Sequence, residues 1–369
     1  MPRHTRIPSL DGLRAVSIVF VLSAHATGTL HYPFHYALDG GLGVRIFFVI
    51  SGFIITHLML DEEHQTGSVS LRQFYRRRAL RILPPFWCYL ATIAILGWIG
   101  VFHIQPLPDL IEPLTFTNGF WFWSWRTLWE TVHSWSLAIE EHFYLLWPMA
   151  FVLLGSRRRR IVILALLLFF GPVMRGWLFD HPTKMTLMWT ILGNFDMLGW
   201  GCLLALLIDR HPHLIQQIVK WRPWLGRLLA IVVIQYCPLY FWRAFNRVCP
   251  PMSSLALSMS AQAIAVAYLI ASLTEIRRGI LYRVLNNPIA VYIGLWSYSL
   301  YLWQQLFLHE TSSPRWWEIW PTNIVLAFAT AIASYYLIER PMRRFRGPRR
   351  SERLIAHENS ATSEPMLVL

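Results

Sequence analysis

Ten mostly apolar stretches follow one another along the chain, at 12–30, 41–60, 83–101, 134–154, 160–178, 187–208, 223–241, 253–273, 289–309 and 320–339. About twenty apolar residues is the length a helix needs to cross the hydrocarbon of a bilayer. In lipid, backbone N–H and C=O groups must be paired inside the structure, which leaves helices or closed barrels. Apolar runs this long without two-residue alternation are helical. The fold class expected is therefore all-α, a polytopic membrane protein of about ten transmembrane helices. The composition agrees, with 55% hydrophobic residues, 14% charged residues and a mean hydropathy of +0.40. Nineteen tryptophans suit a protein with two membrane interfaces to populate.

The net charge of +13 is carried in short clusters between the apolar runs. Arg3 and Arg6 precede the first run, and Arg72, Arg76, Arg77, Arg78 and Arg81 lie between the second and third. Arg157 to Arg160, then Arg210, Lys220 and Arg222, then Arg277, Arg278 and Arg283 follow at alternate connections. A last cluster, Arg343 to Arg350, follows the tenth run. The connections in between hold few basic residues, so the positive-inside bias puts both termini in the cytoplasm. That pattern is a membrane signature and argues against nucleic acid as a partner. Residues 1–346 read as one integral-membrane domain, and 347–369 as a polar, disordered cytoplasmic tail. MPRHTRIPSLDGLR does not read as a cleavable leader. Cys88, Cys202, Cys237 and Cys249 lack zinc spacing, so no metal is expected, while Cys237 and Cys249 both fall near the outer face.

The stretch DGLRAVSIVFVLSAHATGTL at 11–30 carries two ionisable groups in its apolar length, Arg14 and His25. They are eleven residues apart, which places them on nearly one helical face, about 16 Å apart along the axis. Ionisable groups in a span face the protein interior, where they pair or act. With the orientation above, Ser136, Glu140 and Glu141 of the fourth run, Asn194 and Asp196 of the sixth, and Ser299, Gln304 and Gln305 of the ninth fall at a level similar to His25. A shared polar chamber opening outward is the expectation, although such groups also serve only to join helices. At the cytoplasmic end, Arg77, Arg78 and Arg81 lie within about one helical turn. Guanidinium forks match phosphate oxygens, and the simpler role is topology or anionic-lipid contact. The aromatic outer segment 102–133 is a surface for stacking sugar rings or an interfacial belt.

Taken in order, DGLRAVSIVFVLSAH, FFVISGFIIT, FYRRRALRILPPFW, WSLAIEEHFYLLWP, NFDMLGWGCLLA, SYSLYLWQ and IERPMRRF resemble acyltransferase family 3, the bacterial membrane O-acyltransferases that modify glycans. The resemblance covers nearly the whole chain. It implies a ten-span helical fold in the bacterial inner membrane. It also implies transfer of an acyl group, most often acetyl, from cytoplasmic acyl-CoA to a hydroxyl of a sugar in a glycan or glycolipid. The family's essential Arg and His map onto Arg14 and His25, its arginine motif onto Arg77, Arg78 and Arg81, and its acidic residue in the fourth span onto Glu140. Many members have His where this chain has Gln304. Some carry an added extracytoplasmic esterase-like domain, which is not expected within these 369 residues.

These lines join in one expected mechanism. His25 is the general base, and Glu140, if it reaches the ring, orients it as a triad carboxylate would. The arginines hold the negatively charged end of acyl-CoA, and Ser136, Asn194 and Tyr298 are candidates to stabilise the oxyanion. Asp196 and Gln304 complete the candidate substrate surface. The competing reading is a proton-coupled transporter of a sugar or lipid. Internal repeats, usual in transporters, are not found in the sequence. Nothing in the residues speaks to oligomeric state.

Overall fold

A computed structural model describes residues 7, 9–30, 40–102, 106–117, 128–179, 191–245, 251–309 and 314–346. The regular structure among them is helical. Fourteen α-helices of four residues or more run in order among them: α1 Leu10–Leu30, α2 Gly40–Thr66, α3 Leu71–Trp98, α4 Pro106–Thr115, α5 Trp129–Val132, α6 Ser134–Leu154, α7 Arg157–Phe179, α8 Ile191–Arg210, α9 Pro212–Lys220, α10 Pro223–Phe245, α11 Pro251–Glu275, α12 Ile280–Leu285, α13 Pro288–Trp303 and α14 Thr322–Ser334. A 3₁₀ turn at Gln304–Leu306 extends α13, and a π turn at Tyr335–Glu339 extends α14. Six helical segments among the described residues are long and apolar enough to cross a membrane: Gly40–Thr66, Leu71–Trp98, Trp129–Leu154, Arg157–Trp177, Leu257–Glu275 and Thr322–Phe345. The tail 347–369, Arg3, Arg6, Cys249 and the aromatic cluster from Phe120 to Trp125 lie outside the described residues.

The polar stretch 61–82 is helical on both sides of a short connection. α2 runs on to Thr66, and α3 starts at Leu71, capped by the Ser70 side chain accepting from the Gln73 N–H at 3.4 Å. The basic run therefore forms the first turns of α3 itself. Pro84 and Pro85 then sit inside that helix. Neither can donate to the carbonyl four residues earlier, which weakens the ladder at Leu80 and Arg81. The Tyr298 hydroxyl from α13 donates to the neighbouring Ile82 carbonyl at 2.8 Å and ties α3 to α13 at this point.

Packing places α1 between α2 and α13, and α2 between α1 and α8; α7, α11 and α10 continue the assembly beyond α8. Two of these contacts are backbone against backbone. A Cβ on Gly52 of α2 would stand 1.9 Å from the Leu198 carbonyl oxygen, and one on Gly201 of α8 would stand 2.0 Å from the Val49 carbonyl oxygen. A Cβ on Gly294 of α13 would stand 1.9 Å from the Asp11 carbonyl oxygen of α1. Small residues at a helix interface allow this approach where lipid offers no hydrophobic drive for association. The outer faces are apolar. On α7, Val162, Leu166, Phe169 and Val173 recur at helical spacing and are all exposed, as a lipid-facing stripe requires.

Charged residues also brace the bundle. Arg160 is buried, donates two parallel bonds of 2.7 Å to the Glu63 carboxylate, and lies 3.5 Å from the centre of the Phe151 ring. This fork joins α2, α6 and α7. Part of the basic cluster at 157–160 is thus structural.

Candidate active site

Five helices converge on one cleft with a cavity volume of about 80 Å³. α1 contributes Arg14; α2 contributes Phe47, Phe48 and Ser51; α3 contributes Arg78 and Arg81; α6 contributes Ser136, Glu140 and Tyr144; α13 contributes Ser297, Tyr298 and Tyr301. Arg14 is held from its own first turn, with Nη1 donating to Asp11 Oδ1 at 3.2 Å. Arg78 lies 4.4 Å above the Tyr144 ring. Arg81 has no hydrogen-bond or ion-pair partner among the described residues. Glu140 accepts from Ser51 Oγ at 2.8 Å and from the Tyr144 hydroxyl at 3.0 Å. Three guanidiniums thus face one lining carboxylate, which makes the cleft a receptor for an anion.

At the far end of the cleft, Ser136 and Tyr301 share a hydrogen bond, and the Tyr301 hydroxyl also donates to the His133 carbonyl at 2.7 Å. One turn further along α13 begins a second polar group. His25 Nδ1 lies 2.8 Å from Gln304 Oε1. Gln304 Nε2 donates to Gln305 Oε1 at 2.9 Å, and Gln305 Nε2 donates to the Trp129 carbonyl at 2.9 Å. The Trp129 ring meets the His25 ring edge-on at 5.7 Å and stacks on His309 at 5.1 Å. Both glutamines are fully buried, while His25 is half-buried. Its Nε2 has no hydrogen-bond partner among the described residues.

A family model described as an acyltransferase domain matches residues 7–346. The chain belongs to acyltransferase family 3. The family's proteins are integral to the membrane, as the apolar helices require. The Bacillus subtilis (strain 168) protein named "Putative peptidoglycan O-acetyltransferase YrhL" is 28% identical over 371 residues, covering 92% of this chain and 55% of its own. Peptidoglycan O-acetyltransferase OatA of Listeria monocytogenes (serovar 1/2a, strain ATCC BAA-679 / EGD-e) is 26% identical over 374 residues, covering 93% of this chain and 58% of its own. The chain therefore spans a little over half the length of these relatives. No solved structure matches it.

In this member of the family the expected site residues separate into three groups. Arg14, Arg78, Arg81, Ser136, Glu140 and Tyr298 meet in the cleft, and His25 meets Gln304. Four placements differ from expectation. Glu140 does not orient His25; it is bonded to Ser51 and Tyr144, and Gln304 occupies the ring nitrogen. The reason is register. α1 and α6 run in opposite directions, with Glu140 lining the cleft beside Arg14 and Trp129 contacting His25. Trp129 and Glu140 are eleven residues apart along one nearly continuous helix, about 16 Å, the same interval that separates Arg14 from His25. Glu140 is level with Arg14.

Arg77 points away from the cleft. It pairs with Glu62 at 3.2 Å, and Glu62 in turn accepts from the Ser70 N–H at 3.0 Å, clamping the end of α2 to the start of α3. Asn194 and Asp196 do not line the cleft either. Asp196 is fully buried in an ion pair with Arg175 and accepts from Ser260 Oγ at 2.7 Å, while Arg175 Nε donates to the Gly193 carbonyl at 2.9 Å. This group ties α7, α8 and α11 together. Tyr298 donates its hydroxyl proton to Ile82, so it does not offer that proton to an oxyanion. Sequence reasoning passed over Ser51, Tyr144, Tyr301 and the relay role of Gln305. Tyr144 alone had a usable signal, four residues after Glu140 on one helical face.

Proposed function

We propose that this chain transfers an acyl group, acetyl in our reading, from cytoplasmic acyl-CoA to a sugar hydroxyl of an envelope or secreted glycan or glycolipid. Peptidoglycan is the acceptor to which the relatives' names point. The observation that carries this reading is the convergence of Arg14, Arg78 and Arg81 on one cleft, with His25 farther along α1. The ten apolar helices would all cross the inner membrane, with both termini in the cytoplasm, as the alternating basic clusters support. Arg78 and Arg81 then stand at the cytoplasmic end and His25 in the outer half.

The phosphates of the donor bind the cleft guanidiniums through charge-assisted hydrogen bonds. The pantetheine arm extends along α1, and about 16 Å of helix separates the phosphate end from the base. His25 Nε2 takes the proton of the sugar hydroxyl as its oxygen attacks the thioester carbonyl carbon. The tetrahedral intermediate collapses with cleavage of the C–S bond. The imidazolium returns its proton to the leaving thiolate, giving the sugar ester and free coenzyme A. Glu140 offsets part of the cationic field and holds Ser51 and Tyr144 in place.

The test is transfer by the purified protein in lipid, with acetyl-radiolabelled acetyl-CoA and peptidoglycan fragments. Base-labile label on the glycan is the expected result. Donor binding without ester formation on any sugar acceptor would contradict the reading.

A further inference from the structure

We propose that Gln304 and Gln305 are positioning residues, forming a one-way amide relay that holds His25 in the tautomer a general base needs. This inference rests on the acyltransferase role given to His25 above. The direction of the relay is set at its far end. The Trp129 carbonyl can only accept, so the Gln305 contact to it at 2.9 Å is made by the Gln305 NH₂. That turns Gln305 Oε1 toward Gln304, whose NH₂ must donate to it at 2.9 Å. Gln304 Oε1 is then the atom facing His25 Nδ1 at 2.8 Å, so Nδ1 carries the ring proton. In a neutral imidazole the other nitrogen, Nε2, is left with its lone pair.

The arrangement resists reversal. Both amides are fully buried, and flipping either one sets two donors or two acceptors against each other. Trp129 is pinned a second time, its Nε1 donating to the Gln305 carbonyl at 3.2 Å. Gln304 and Gln305 are consecutive at the start of a 3₁₀ turn, and it is the length of the two side chains that lets their amide ends meet. In a triad, a carboxylate accepts the Nδ1 proton and also stabilises the imidazolium. Gln304 supplies the orientation without the charge.

The experiment measures kcat and donor KM for transfer by the full chain. Gln304→Met keeps length and removes both hydrogen bonds. Its kcat should fall by about 10²-fold or more, the scale of impaired base catalysis, with donor KM unchanged. Gln304→His should recover most of the wild-type kcat, because a neutral imidazole, like an amide, offers one acceptor and one donor. Gln305→Leu should lose kcat as well, since it frees the Gln304 amide to turn. A purely structural role would lower folded protein in all three and would not single out His for rescue. His25→Gln is run beside them. If His25→Gln is inactive while Gln304→Met turns over at the wild-type kcat, the relay is overturned and the base assignment stands. If His25→Gln transfers normally, the functional reading itself fails. Should Gln304→Met not fold, wild-type kcat in Gln305→Leu overturns the relay.

Discussion

Arg77 and Arg78 are neighbours in one basic run, and the structure separates them. Arg78 faces the cleft, and its contact among the described residues is the Tyr144 ring at 4.4 Å. Its guanidinium is available to a phosphate. A hydrogen bond to a charged group is worth about 1.5–3 kcal/mol, and each 1.36 kcal/mol is about tenfold. Arg78→Ala should therefore weaken coenzyme A binding by roughly 10- to 150-fold. Removing the cation from the Tyr144 face costs stability as well, about 0.5–2 kcal/mol, so thermal melting must be followed in parallel. Arg77→Ala breaks instead the pair with Glu62, in which the arginine side chain is 21% exposed. The Glu62 carboxylate is buried, so the loss should lower stability by about 1.5–3 kcal/mol, and coenzyme A affinity should not change. Calorimetric titration of coenzyme A into each purified variant gives the comparison. Equal losses in Arg77→Ala and Arg78→Ala, or none in either, would refute the division of the run.

Three further outcomes follow from the packing and the charge pattern. Asp196→Asn leaves Arg175 as a buried cation without its counter-charge and should destabilise the protein by about 3–5 kcal/mol, while the folded fraction, isolated by size exclusion, binds coenzyme A normally. A stable Asp196→Asn protein with weakened substrate binding would return this residue to the site. Gly52→Ala drives a Cβ against the Leu198 carbonyl and should cost about 1–3 kcal/mol, read as a lowered melting temperature. A reporter fused after residue 346 should be active only in its cytoplasmic form, and an extracytoplasmic signal would undo the assignment of His25 to the outer half.

The sequence was most legible where a single period or a single residue type carried the information. Apolar runs of membrane length located the helices, and the helical spacing of Arg14 and His25 put both on the side of α1 that faces polar partners. What it left unread was register between helices. Glu140 was placed in the outer half by the direction of its span. That rule resolves half a bilayer, whereas its level with Arg14 depends on helical rise and on α6 being entered from α5 at Trp129. Asp196 looked like site chemistry because its partner, Arg175, lies in another helix with no fixed offset in sequence. Arg77 and Arg78 differ by one residue, hence by about 100° around the helix, and nothing in the run itself says which side faces the cleft. Gln305 is visible as a residue, but the role proposed for it depends on the Trp129 carbonyl, 176 positions away in sequence, which side-chain pattern does not announce.

The central claim is that donor binding and proton transfer are carried by different ends of α1. His25→Gln tests it most directly, since glutamine keeps hydrogen-bonding capacity and similar reach but accepts no proton at neutral pH. Coenzyme A affinity and single-turnover acyl transfer would be measured on the same preparation. The account predicts unchanged coenzyme A affinity and a transfer rate lower by about 10²–10⁴-fold, the usual loss on removing a general base. Transfer at the wild-type rate by His25→Gln would contradict it.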